Sequence, residues 1–145
     1  VSAEQRAAVA AEAWGWVGTP YHHHARIKGL GVDCAQILAA VYEAAGLVPC
    51  LDLGDYAQHW HLHRSEELYL GWLERVGARR IEGAPQAGDI GVWQFGRCFS
   101  HGGIVVEGGA DPTVVHAYIG RGVIVSRVSE DPLQGRAVQY WSIIE

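Results

Sequence analysis

The sequence predicts an α+β fold in which helices come first and an antiparallel sheet follows. Three observations carry this. Apolar residues in the first half recur at helical spacing. After Pro85 the pattern changes to short β-branched and aromatic runs separated by glycine turns. An acidic residue and a cysteine, Asp33-Cys34, head one of the apolar helical segments.

The elements follow in order. Residues 2–17 read as a first helix, with Ser2 as N-cap and Gln5 as its capping-box partner. Gly18-Thr19-Pro20 stops it. Residues 22–32, rich in His and Gly, read as a loop. The second helix is expected from Asp33 to Ala45, because Cys34, Ile37, Leu38, Val41 and Ala45 follow helical spacing and Gly46 is a natural C-cap. A third is expected from Ser65 to Val76 on the stripe Leu68, Trp72, Leu73 and Val76, with Gly77 ending it. Strands are expected near 89–95, 101–107, 113–118, 122–127 and 138–144, with short connections that suit hairpins and meanders. The Cys34 helix is expected to pack against that sheet.

With 145 residues the chain has the length of one domain, expected to span 1–145. Its hydrophobic fraction is 49% and its charged fraction 19%, an ordinary globular balance. The net charge of −5 and the lack of a basic run speak against nucleic-acid binding. No apolar stretch reaches the roughly 18 residues of a membrane span, so no membrane insertion is expected. The start Val1-Ser2-Ala3-Glu4-Gln5-Arg6 does not read as a signal peptide, so synthesis in the cytoplasm without one is expected. Three cysteines make an odd count and no disulfide framework; Cys50 and Cys98 read as inert thiols.

Cys34 is the candidate nucleophile. The first turn of a helix offers unpaired N–H groups and partial positive charge, and both favour thiolate over thiol. A thiol of this kind needs a base to take its proton. His101 and His116 lie in strand-like segments, Ser100-His101-Gly102-Gly103-Ile104 and Val114-Val115-His116-Ala117-Tyr118, where a rigid sheet could hold an imidazole. By alternation His116 shares a face with Val114 and Tyr118. Asp33 has two readings: a cap whose charge suits the helix N-terminus, or a binding residue.

Other residues invite sharper readings. His22-His23-His24 and His59, His61 and His63 suggest a metal, but no acidic or cysteine partner stands at a recognised ligand spacing, so no metal is expected. They read as cleft-lining loop histidines. Trp14, Trp16, Trp72, Trp93 and Trp141 read as core, and Trp60 as the best candidate for a cleft wall.

Five segments occur in a telling order: Gly18-Thr19-Pro20-Tyr21, Gly31-Val32-Asp33-Cys34-Ala35-Gln36, Ala87-Gly88-Asp89-Ile90, Ser100-His101-Gly102-Gly103-Ile104 and Val115-His116-Ala117. Together they resemble the NlpC/P60 family of papain-like cell-wall cysteine peptidases. With Trp60-His61-Leu62-His63-Arg64 and the helix after it, the chain is similar to the phage-tail and gene-transfer-agent branch. The resemblance spans about Gly18 to Val128. It implies a papain-like fold with a sheet of about five to six strands. It implies Cys34 as nucleophile, His101 as general base, His116 as the orienting third residue, Tyr21 beside the cysteine, and Asp33 as a holder of a stem-peptide amine. It implies no cofactor, peptidoglycan stem peptides as substrate, the bond between γ-D-glutamate and the diamino acid as the cut, tail-tip or baseplate hub proteins as partners, and action in the periplasm or wall of a target cell. An amidase or acyltransferase on the same thiol, or a non-catalytic tail component, are the rivals. Two departures stand out: the common Asp-Cys-Ser-Gly reads Asp33-Cys34-Ala35-Gln36, and the usual His-Val-Gly-Ile reads His101-Gly102-Gly103-Ile104.

Overall fold

The computed structural model describes residues 2–54, 56 and 68–144. The expectations at His59, Trp60, His61, His63 and Ser65 lie outside the described residues. Among the described residues, three helices precede or flank a six-stranded antiparallel sheet, and a two-stranded hairpin stands beside them.

Helix α1 spans Ser2–Gly15 and buries Val9 and Ala13, one turn apart. Ser2 is its first helical residue rather than a cap. Gly18, at φ 92°, turns the chain and donates its N–H to the Val123 carbonyl at 3.0 Å. Residues 22–32 do not form a plain loop. They contain strands β1 (Arg26–Ile27) and β2 (Gly31–Val32), paired antiparallel around Gly29 at φ 82°. Two-residue strands carry no alternation, so the sequence pattern could not reveal them. Gly31 is needed where it stands, since a Cβ there would lie 2.9 Å from the His22 Cβ.

Helix α2 spans Gln36–Ala44, three residues later than the sequence suggests at its start. Ala35 is the N-cap and makes no side-chain cap bond. Asp33 performs the capping from two residues upstream: its Oδ1 accepts the N–H of Ala35 at 3.0 Å and of Gln36 at 2.8 Å. Cys34 therefore sits in the turn that enters the helix. Gly46, at φ 76°, ends α2, and the Leu47 N–H donates to the Tyr42 carbonyl. Helix α3 spans Leu68–Arg75 and buries Tyr69 and Leu73, with Trp72 only partly covered.

The strands of the large sheet are β3 (Arg79–Ile81), β4 (Ile90–Phe95), β5 (Cys98–Glu107), β6 (Thr113–Tyr118), β7 (Gly122–Arg127) and β8 (Val138–Ser142). Their order is β3-β8-β4-β5-β6-β7. Five of the six match the expected segments; the short edge strand β3 was not foreseen. β4 to β7 form a meander, and β8 returns to pair with β4.

The sheet is covered on both faces. Ile104, Val106, Val115 and Ala117 meet the helices in the main core. Trp93, Val105, Val114 and Leu133 form a second cluster. β5 is consequently buried along almost its whole length, which explains its apolar run Ile104-Val105-Val106. Of the tryptophans assigned to the core, Trp16, Trp93 and Trp141 are buried there, whereas Trp14 is 46% exposed because it lies off the Val9 and Ala13 face. An ion pair ties α1 to the start of β4: Arg6 Nη1 stands 2.8 Å from Asp89 Oδ1, and Asp89 is buried.

Candidate active site

The head of α2 and the strands β5 and β6 wall a cavity of about 160 Å³. Cys34, His101, Tyr21 and Asp33 all line it. His116 lies one layer behind, with 0% exposure, and reaches the cavity only through His101. All five residues singled out in the sequence thus belong to one locality.

A local irregularity in the sheet brings β5 to the thiol. Trp93 pairs with His101 but Gln94 pairs with Phe99, so Ser100 is the extra residue of a bulge. The Ser100 carbonyl lies 3.7 Å from Cys34 Sγ and accepts its S–H. Alternation then puts His101, Gly103 and Val105 on one face of β5, and Gly102 and Ile104 on the other.

On the first of these faces three polar side chains stand in a row across neighbouring strands. His101 Nε2 is 2.7 Å from His116 Nδ1, and His116 Nε2 is 2.9 Å from Ser126 Oγ. His116 thus engages Nε2 of His101. When the proton of His101 sits on Nε2, it donates to His116. His116 then carries its own proton on Nε2 and donates to Ser126. Burial, helped by the Arg121 charge, pushes His116 down to about 4, so it stays neutral and fit for this relay. Ser126 was not singled out from sequence. Its only signal is its position in β7, where it pairs with Val114 and so shares the face of His116.

The two glycines after His101 have separate reasons. A Cβ on Gly103 would collide with Val114 Cγ1 and come within 3.0 Å of the His116 Cβ, so glycine makes room for His116. A Cβ on Gly102 would collide with the Tyr69 hydroxyl on the opposite face. The Gly-Gly departure is therefore a packing requirement on both sides of β5 rather than a loosened strand.

The thiol differs from the resting thiolate that helix physics suggests. Burial and the neighbouring Asp33 charge push Cys34 up to about 12. Tyr21, the Gly102 N–H and the Cys34 N–H oppose this by donating toward sulfur, but they do not overcome it. The displacement of Cys34 from the helix proper weakens the dipole contribution as well. Cys34 is thus held as a neutral thiol in the cavity that His101 also lines. Tyr21 is itself held neutral, first by burial and then by the Asp33 charge.

Asp33 is 1% exposed, and its two oxygens already accept four hydrogen bonds. Oδ1 takes the Ala35 and Gln36 N–H groups; Oδ2 takes the His24 N–H at 2.8 Å and the Tyr56 O–H at 2.6 Å. Gln36 extends the network, donating to the Tyr56 hydroxyl at 3.2 Å and accepting from Arg26 Nε at 2.7 Å. The Ala35-Gln36 departure thus supplies a buried brace for the loop. Of the three consecutive histidines, only His23 lines the cavity; His24 Nε2 is 3.1 Å from the Tyr56 carbonyl oxygen. Cys98 is buried at the start of β5, and Cys50 is exposed.

The fold is that of NlpC/P60 domains. The NlpC/p60 domain of the peptidoglycan hydrolase SagA superimposes with a TM-score of 0.61 at 24% identity, covering 92% of this chain and 96% of that one. An NLP/P60-family protein from Staphylococcus aureus subsp. aureus Mu50, described as similar to lipoprotein, superimposes with a TM-score of 0.62 at 21% identity. That match covers 98% of this chain and 42% of the other, so this chain spans less than half of its length. No family model matches the sequence, and no curated protein matches it.

Proposed function

We propose that this protein is a cysteine peptidase of the NlpC/P60 type that hydrolyses amide bonds in peptidoglycan stem peptides. The observation that carries the reading is the buried relay His101–His116–Ser126 aimed from three strands at a cavity that holds Cys34. Two buried imidazoles in mid-sheet are poor core material beside valine or isoleucine, and a merely structural role gives no reason to retain them. This argues against the non-catalytic tail component.

His101 Nδ1 takes the proton of Cys34 as sulfur attacks the amide carbonyl carbon. The proton transfer is needed in the same step, since the thiol does not ionise at rest. The carbonyl oxygen gains charge, and the Cys34 N–H and the Tyr21 O–H are the donors at hand for it. His101 then protonates the leaving amine, the C–N bond breaks, and a thioester remains on Cys34. Water, deprotonated by His101, cleaves that thioester to the acid and the free thiol. His116 keeps His101 in the productive tautomer. Asp33, with its lone pairs taken by internal donors, supports the capping role over the gripping of a substrate amine.

The fold likeness to peptidoglycan hydrolase domains supports the substrate class. The bond between γ-D-glutamate and the diamino acid is the proposed cut. The proposed setting is a phage-like tail or gene transfer agent, with hub proteins as partners, the protein acting in the periplasm or wall of the target cell. Mass spectrometry of muropeptides released from purified sacculi tests the reading. A new γ-glutamyl carboxylate lost in Cys34→Ala is the expected result. A cut at the sugar-lactyl amide, or a transferred acyl group, would establish the amidase or acyltransferase instead. Full lytic activity in Cys34→Ala would overturn the mechanism.

A further inference from the structure

The backbone ladder entering α2 has an unusual member. The Ile37 N–H donates to the Asp33 carbonyl at 3.1 Å and the Ala39 N–H to the Ala35 carbonyl at 3.3 Å. Between them, the Cys34 carbonyl takes the Tyr69 phenol at 2.6 Å. Tyr69 comes from α3, is 3% exposed, and its hydroxyl packs where Gly102 lacks a Cβ. One ring thus touches the main chain of Cys34 and the strand residue next to His101.

We propose that Tyr69 is a positioning residue that sets the distance between the Cys34 loop and the His101 strand, and that glycine at 102 exists to admit it. The phenol fixes the Cys34 peptide plane and hence the direction of Sγ. It bears on Gly102, whose N–H faces that sulfur. A neutral thiol must meet its base within hydrogen-bond reach, so a displacement of a few tenths of an ångström in this spacing acts on the chemical step rather than on substrate binding. This inference rests on the hydrolase reading for its effect on turnover, but not for its effect on the thiol.

The test compares Tyr69→Phe and Gly102→Ala with Tyr42→Phe. Tyr42 is a matched control: it is 2% exposed and its O–H donates to the Gly88 carbonyl at 2.7 Å, away from Cys34. Each protein, in a Cys50→Ser and Cys98→Ser background, is measured for melting temperature, for iodoacetamide alkylation at pH 8.5, and for kcat and KM on sacculi. Tyr69→Phe is expected to lower kcat about tenfold with KM within twofold, and to slow alkylation at least threefold. Gly102→Ala, which pushes the phenol away, is expected to do the same. Tyr42→Phe is expected to lower the melting temperature while leaving alkylation unchanged. If Tyr69→Phe and Gly102→Ala change only the melting temperature, as Tyr42→Phe does, the positioning role is overturned. If the unmutated protein cleaves no wall yet Tyr69→Phe slows alkylation, the positioning role stands and the hydrolase reading falls.

Discussion

Removing the Ser126 hydroxyl tests the relay at its far end, about as far from the thiol as a change can be while still acting on it. Ser126 is 4% exposed and His116 0%. The hydrogen bond between them is 2.9 Å long. In Ser126→Ala the relay can run in either direction. The productive direction keeps His101 Nδ1 bare and strands the His116 Nε2–H in a dry interior. The reversed direction strands only a lone pair, but places a proton on His101 Nδ1, where the thiol must deliver its own. A buried donor left unmade costs about 1–3 kcal/mol, and a stranded N–H is tolerated less well than a stranded acceptor. A difference of about 1.4 kcal/mol between the two directions reduces the productive form tenfold. The expected result is a roughly tenfold fall in kcat/KM carried by kcat, with about 1–3 kcal/mol lost from stability. Ser126→Thr, which keeps the hydroxyl, restores turnover. Nitrogen NMR of His116 reads the tautomer directly. If Ser126→Ala retains kcat/KM within twofold and His116 keeps its proton on Nε2, the tautomer argument is wrong.

Other predictions are simpler. His116 takes up a proton at about 4 when folded but near 6.5 when unfolded, so the unfolded chain binds more protons between those values. Its contribution is fully present above pH 6.5 and is lost as pH falls toward 4, by about 3 kcal/mol in all; urea melts from pH 7 to 4 measure this, and His116→Asn flattens the slope. Cys34, pushed up to about 12, is expected to alkylate slowly at pH 7 and about tenfold faster per pH unit from there to pH 10. A rate plateau already reached at pH 6–7 would instead reveal a resting thiolate. Arg6→Ala leaves the buried Asp89 carboxylate without its cation, and a loss of about 3 kcal/mol is expected in chemical denaturation. A change below about 0.5 kcal/mol would show that the pair holds nothing.

The sequence revealed what repeats or alternates. The five longer strands, the apolar face of α2 and the sharing of one face by His116 and Val114 were legible, because burial imposes a period that residue types report. The start of α2 was not, because Asp33 caps from two residues upstream and Cys34 lies in the intervening turn. Tyr69 was missed for a related reason. The apolar stripe of its helix was drawn through Leu68, Trp72, Leu73 and Val76, which holds the buried Leu73 but leaves out the buried Tyr69. The thiol state was also misread, since helix position is visible in sequence but burial beside a carboxylate is not. Ser126 required the β6–β7 register, which no local pattern reports.

The division of the site between a meander and a distant turn also has a kinetic consequence. His101, His116 and Ser126 fall on three strands joined in succession by short connections, so their row closes through contacts near in sequence. Cys34 joins that row only across 66 residues, at the Ser100 carbonyl. Local pairings form early and distant ones late. On that ground His101, His116 and Ser126 are expected to come together before Cys34 reaches the Ser100 carbonyl.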